Sequence, residues 1–345
     1  MSTINVNNID KESGSTLTIG GSGTTVNVSN MVPDVALSNR NLIINGGFDI
    51  WQRSIDSGVG MPSSWGYYTA DRVRTSVSSA SGSQRIYKKT NDSTFKNVMA
   101  VVGDGSSAYT VEWYIEESAR LIDKKVTTFS FYAKVSSGTF DLNSQSHGAY
   151  ASSLDYTNAT TTLNTNWQRI VITVDLTNST YTGANEIEFR MINFGVIPNG
   201  VELHFAQAQL EAGSVATPFE NESFGQTLAK CQRYYTKSYD YEDPPGTNTE
   251  TGAVYFRGSS ADSVSNRTVN VSFPVDMRTN PTCTAYSISG TSGAISDCGV
   301  AYSEVSAITG SSINGTTGKR GFSRVISGTP VDNMIGLHFV ADAEL

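Results

Sequence analysis

A sugar is held by aromatic rings against the C–H face of a pyranose, and by amides, carboxylates or guanidinium groups that reach its hydroxyls. Two stretches of this chain offer that mixture. "SSWGYYTADR" supplies Trp65, Tyr67, Tyr68, Asp71 and Arg72 in a loop-like setting, and "SHGAYASSLDY" supplies Tyr150 and Tyr156 in a second. These are the candidate glycan-binding residues. The more ordinary use of such loop aromatics is to plug the edge of a β-sandwich, and spacing alone leaves both readings open.

Catalytic patterns are missing from the same sequence. There is no G-x-S-x-G elbow, no H-E-x-x-H helix and no phosphate-binding P-loop. Glu116 and Glu117 are adjacent, so on a strand they point to opposite faces and cannot act as a glycosidase pair. No enzymatic activity is expected, although carboxylates brought together from separate strands would leave no trace in spacing. Cys231, Cys283 and Cys298 lack CxxC spacing and His147, His204 and His338 are scattered, which argues against zinc and for three buried free thiols.

The 345 residues are only 16% charged with a net charge of -8, a poor composition for gripping phosphates, so no nucleic-acid partner is expected. No window approaches the ~18 apolar residues of a membrane span, and "MSTINVNNID" does not read as a signal peptide. The expectation is a protein that is soluble or borne on a particle.

Period-two alternation supplies the elements that must position these residues. Val111, Trp113 and Ile115 alternate with Thr110, Glu112 and Tyr114; Phe129, Phe131, Ala133 and Val135 alternate with Ser130, Tyr132 and Lys134. Ile170 to Leu176, Ile187 to Met191 and Val201 to Phe205 repeat the pattern. Strands of this kind, joined by Gly, Asn, Asp and Ser turns, predict an all-β chain with an antiparallel jelly roll over residues 41–222. Its opening block, "NLIINGGFDIWQR", reads as an apolar strand with Trp51 in the core. Residues 1–40 hold only short aliphatic pairs and cannot bury enough surface to fold alone. They read as an extended β-rich attachment or oligomerisation segment.

"SFGQTLAKCQRYY" predicts the one helix, within a connecting segment 223–242. Ser223 and Gln226 form a capping box, and Phe224, Leu228, Cys231 and Tyr235 form one stripe. The stripe must pack on a sandwich face or on copies of itself. Tyr234, Tyr235, Tyr239 and Tyr241 suit packing between domains or subunits. Residues 243–345 read as a second, smaller sandwich, with strands in "AVYFRGS", "NRTVNVSFPVDM", "CTAYSIS", "FSRVIS" and "IGLHFVADAEL".

Taken together, "NLIINGGFDIWQR", "YYTADR", "AQAQLEAGSVATPFE" running into "SFGQTLAKCQRYY", and the final "ADAEL" resemble tail-fibre and virion-associated proteins of tailed bacteriophages and prophages. The resemblance covers 41–345 in broken blocks and is most specific from Gln207 to Tyr235. It implies a carbohydrate-binding-module-like jelly roll, commonly a homotrimer on the virion, with residues 1–40 attached to other virion proteins and the outer surface meeting a host glycan or receptor. A tail fibre, a head fibre or a capsid decoration protein all fit it, and a tail-borne glycan depolymerase is the enzymatic alternative. Relatives often carry Trp after "YTADR", where Val73 stands here; a core position explains that exchange as a packing adjustment. Similar modules hold a structural calcium between an "NGxFE"-like first strand and a carboxylate-rich last strand. Here Asp49 and Glu211 are the only carboxylates in prospect, with Gln207 and Gln209 in place of an Asp pair, too few for a calcium shell. The amides are expected to hydrogen-bond where the terminal strands meet, and no cofactor is expected.

Overall fold

A computed structural model describes residues 39–58, 61–79, 84–116, 126–148, 157–175, 187–257, 267–309, 316–326 and 333–344. All of the proposed attachment segment except Asn39 and Arg40 lies outside these residues, as do Tyr150 and Tyr156.

The alternating stretches form ten antiparallel strands: β1 (Arg74–Val77), β2 (Arg85–Lys89), β3 (Val98–Val102), β4 (Ala108–Ile115), β5 (Val126–Val135), β6 (Phe140–Gly148), β7 (Thr157–Leu163), β8 (Gln168–Asp175), β9 (Ile187–Val196) and β10 (Glu202–Ala212). They make two five-stranded sheets, ordered β1-β4-β9-β6-β7 and β2-β3-β10-β5-β8. The predicted inward residues Val111, Trp113, Ile115, Phe129, Phe131, Ala133 and Val135 are all buried. A chain of rings crosses the core from Phe48 through Trp113, Phe129 and Phe131 to Phe205, with successive centroids 6.4, 6.3, 5.0 and 5.9 Å apart. It ties the opening block to both sheets. Val73 is buried in the same core.

"NLIINGGFDIWQR" departs from expectation: it is a turn, not a strand. Asn45 stands at φ 63°, and its side chain bonds Ile50 twice, accepting from the amide N at 3.0 Å and donating to the carbonyl at 2.9 Å. The block therefore folds back on itself while still burying Ile43, Phe48, Ile50 and Trp51. The Gly-Gly pair serves close approach. The Ala208 amide donates to the Gly46 carbonyl at 2.8 Å, and a Cβ on Gly46 would lie 1.9 Å from the Ala208 oxygen. A bulge in β10 opposite β5, with Gln207 at φ 52°, makes this fit.

Helix α1 (Phe224–Gln232) starts at the predicted capping box, with both reciprocal bonds of Ser223 and Gln226 present. Its stripe differs from the expected one. Thr227 and Cys231 are its buried residues, Phe224 is 46% exposed, and the helix ends before Tyr235. Tyr235 instead opens β11 (Tyr235–Lys237), which pairs with the long β19 (Met334–Asp342).

Around β19 gather β12 (Val254–Arg257), β14 (Thr282–Tyr286) and β15 (Ala294–Asp297), with β16 (Ser306–Thr309) beyond β15. A three-stranded sheet of β13 (Arg267–Ser272), β18 (Gly321–Ile326) and β17 (Thr316–Gly318) completes the second body. Its core is separate from the first and includes Val269, Met277, Ile335, Leu337 and a triangle of Phe273, Phe322 and Phe339. The three cysteines are free and buried. No helix among the described residues is long and apolar enough to cross a membrane.

Candidate functional site

The loop expected to face a glycan instead meets the second body. Arg72 sits at φ 65° and its side chain is buried. There its guanidinium pairs with Glu344, donates to the Tyr114 carbonyl at 2.8 Å and lies 3.6 Å from the centre of the Tyr234 ring. Arg53 repeats the arrangement with Tyr235 at 3.7 Å, Glu344 at 3.2 Å and Asp342 at 3.5 Å. The Tyr67 ring lies at 5.3 Å from Arg53 and 6.0 Å from Arg72. Two buried cations are thus matched by carboxylates that arrive from the far end of the chain, and by consecutive tyrosines just beyond α1.

Asp71 is also consumed here. Its carboxylate accepts from the Gln52 amide N at 2.9 Å and the Gln52 side chain at 2.5 Å, with Arg53 at 3.8 Å. Burial pushes this carboxyl above the usual carboxylate range, against the pull of Arg53 and the Gln52 donors. Burial also opposes charge on Arg53 and Arg72, but Glu344 foremost outweighs it and holds both guanidinium groups charged. Asp71 and Arg72, read from sequence as sugar contacts, are therefore closed to a glycan because they are spent on the seam. Tyr67 is largely enclosed with them. Tyr68 packs on the jelly-roll core, and its hydroxyl donates to the Ser64 carbonyl at 2.9 Å.

Trp65 stands differently. Arg74 lies 5.2 Å from its ring centre and 5.3 Å from that of Tyr114, and donates to the Tyr114 hydroxyl at 2.6 Å and to Glu112 at 2.5 Å. Tyr114 then forms part of the wall of a cleft of about 400 Å³ beside α1. Leu42, Ile44 and Ile115 supply its apolar surface, Tyr234 a second ring, and Asn39, Glu116, Lys230 and Arg233 its polar groups. Glu116 accepts from Arg233 at 2.6 Å and from the Tyr234 hydroxyl. Burial raises its pKa but these donors outweigh that and leave it below the usual range, so it is ionised at neutral pH. Lys230 pairs with Glu222. Sequence reasoning missed this cleft. Tyr114, Glu116 and Arg233 look like ordinary outward residues of a strand and a helix until the two are packed together.

A second aromatic group, also missed, lies against β5 and β8. Phe95 contacts Tyr132 at 5.0 Å and Trp167 edge-on at 4.7 Å, while Lys134 lies 4.6 Å from the Trp167 ring centre. Asp92 accepts from Lys134 at 2.7 Å, Trp167 at 3.0 Å and the amides of Thr94 and Phe95. Burial raises the Asp92 pKa, but these donors prevail and hold the carboxyl well below the usual range. The cluster is closed around its own polar groups and fastens the β2–β3 connection.

Asp49 and Glu211 are held by separate partners. Asp49 accepts from the Asn97 side chain at 2.5 Å, and Glu211 accepts from the Thr217 amide at 3.0 Å and its hydroxyl. Gln209 accepts from the Glu220 amide at 2.7 Å, so its amide secures the chain beyond β10. Among the described residues, no group of three or more His, Cys, Asp or Glu is placed to hold a metal ion.

No protein-family model and no curated protein matches this chain. Several solved structures are similar to part of this chain at low identity. The module TmCBM61, solved with β-1,4-galactotriose, is 13% identical with TM-score 0.33, covering 50% of this chain and 99% of that one. The CBM22-1 xylan-binding domain of Xyn10C from Paenibacillus barcinonensis is 11% identical with TM-score 0.26, covering 38% and 82%. The enzymatically active domain of tailspike protein 4 from bacteriophage CBA120 is 11% identical with TM-score 0.30, covering 50% of this chain and 21% of that one.

Proposed function

We propose that this chain is a non-catalytic structural protein of a tailed-phage virion, tail-fibre-like, that binds the host surface through a glycan. In this reading it is a homotrimer mounted on other virion proteins by residues 1–40, and it uses no cofactor. One observation carries the proposal. The blocks that resemble phage tail-fibre and virion-associated proteins are gathered at one joint: Arg53 from the first, Asp71 and Arg72 from the second, Tyr234 and Tyr235 from the third, Glu344 from the last. A joint of buried ion pairs and ring contacts between two β-bodies suits a projecting adhesive protein, whose binding body must be held against its mount. The carboxylates gathered there are bound to cations and amides, which favours architecture over acid–base chemistry.

Antibody labelling of whole virions tests the location. Label on the tail supports the proposal, whereas label on the capsid with bare tails replaces it with a head fibre or decoration protein. Native mass measurement tests the trimer, and a monomer would count against a fibre. Incubation with host polysaccharide tests the absence of catalysis, since release of reducing ends would make the chain a depolymerase.

A further inference from the structure

We infer that the cleft between β4 and α1 is a binding subsite for a neutral pyranose; this rests on the adhesive reading above and names where it acts. Its volume of about 400 Å³ lies within the ~300–1,000 Å³ typical of small-ligand sites, room for the end of a glycan rather than a long chain. The surface is divided as a sugar requires. Leu42 and Ile44 offer an apolar floor, and the half-buried ring of Tyr114 offers a face for C–H contacts. At the edge, Glu116 and Arg233 form an ion pair 2.6 Å apart whose side chains remain 30% and 42% exposed. A carboxylate beside a guanidinium presents an acceptor and a donor at the separation of two neighbouring sugar hydroxyls.

The charge pattern selects the class of sugar. Arg233 is already matched by Glu116, and Lys230 by Glu222. No unmatched cation among these groups awaits a uronate or sialate carboxylate, so an anionic sugar would lose hydration without gaining a counter-charge. A neutral ring with vicinal hydroxyls engages both members of the Glu116–Arg233 pair as they stand. The Trp65–Arg74–Tyr114 stack runs to the cleft wall and braces the Tyr114 ring from behind.

The test uses the full chain and saturation-transfer NMR with methyl glycosides of neutral pyranoses and of a uronate. Neutral glycosides should show transfer and the uronate at least several-fold less. Tyr114→Leu and Glu116→Gln should each weaken neutral-sugar binding at least tenfold. Thermal unfolding of each variant separates a lost subsite from a lost fold. Equal binding by folded variants and the parent would overturn the cleft while leaving glycan adhesion in place. Tighter binding of the uronate would overturn the neutral-sugar assignment. A chain that labels host cells but binds no sugar would overturn the subsite and leave surface attachment standing.

Discussion

Glu344 is the residue on which the joint depends most. Its carboxylate reaches both Arg72 and Arg53, and the Arg72 and Glu344 side chains are 2% and 5% exposed. With Glu344→Ala, Arg53 keeps Asp342 at 3.5 Å and Asp71 at 3.8 Å. Arg72 keeps only the Tyr114 carbonyl and its ring contacts. Leaving a buried charge without its partner costs about 3–5 kcal/mol. At about 2 °C per kcal/mol for a large folded body, Tm should fall by about 6–10 °C. The loss should persist in high salt, because a buried pair is poorly screened. Replacing the pair with Arg72→Met and Glu344→Met together should recover most of it, since apolar residues remove both desolvation costs. Thermal unfolding by near-UV circular dichroism measures the shift, and amide exchange at Ala343, whose N–H donates to the Tyr234 carbonyl at 2.7 Å, locates it. A Tm change under about 1 °C for Glu344→Ala, or a double variant no better than the single one, would refute the reasoning.

The geometry sets three further outcomes. Gly46→Ala puts a Cβ against the Ala208 oxygen and should cost about 1–3 kcal/mol, read as a lower denaturant midpoint. Ser223→Ala removes the capping box of α1 and should cost about 1 kcal/mol, seen as faster amide exchange in its first turn. Burial raises the Glu202 pKa, but bonds from His204, Tyr87 and Lys89 outweigh it and lower the group from 4.5 to about 2. The unfolded chain then binds the proton first as pH falls, so Glu202 stabilises the fold fully above 4.5 and loses this contribution toward pH 2. Glu202→Gln should flatten that part of an acid-unfolding curve; an unchanged slope would remove the assignment.

The sandwich was legible in the sequence because large apolar residues recur at every second position of the strands, even where polar residues between them, such as Glu112 and Ser130, are buried too. Trp113 and Phe129 sit where that period puts them. The capping box of Ser223 was legible for the same reason: its partners are three residues apart. The opening block misled because its apolar density suits a strand, whereas Asn45 turns it by bonding its own neighbours, a choice that residue type does not reveal. Asp71 and Arg72 misled more deeply. A polar pair in an aromatic loop looks the same whether it faces water or a second body, and the partner of Arg72 lies 272 residues away. The cleft could not be seen because its walls come from β4 and from α1, and no local pattern records that they meet.

The joint also limits how such a protein can be recombined. Arg53 and Arg72 belong to the jelly roll, while Tyr234, Tyr235 and Glu344 belong to the segments C-terminal to it. A chimera cut anywhere between Ala212 and Phe224 severs no strand or helix, yet it hands each half a surface made for its original mate. Transplanted alone, the jelly roll would carry two inward-facing guanidinium groups into water or onto a foreign neighbour. The smallest exchangeable cassette is therefore the pair of bodies together.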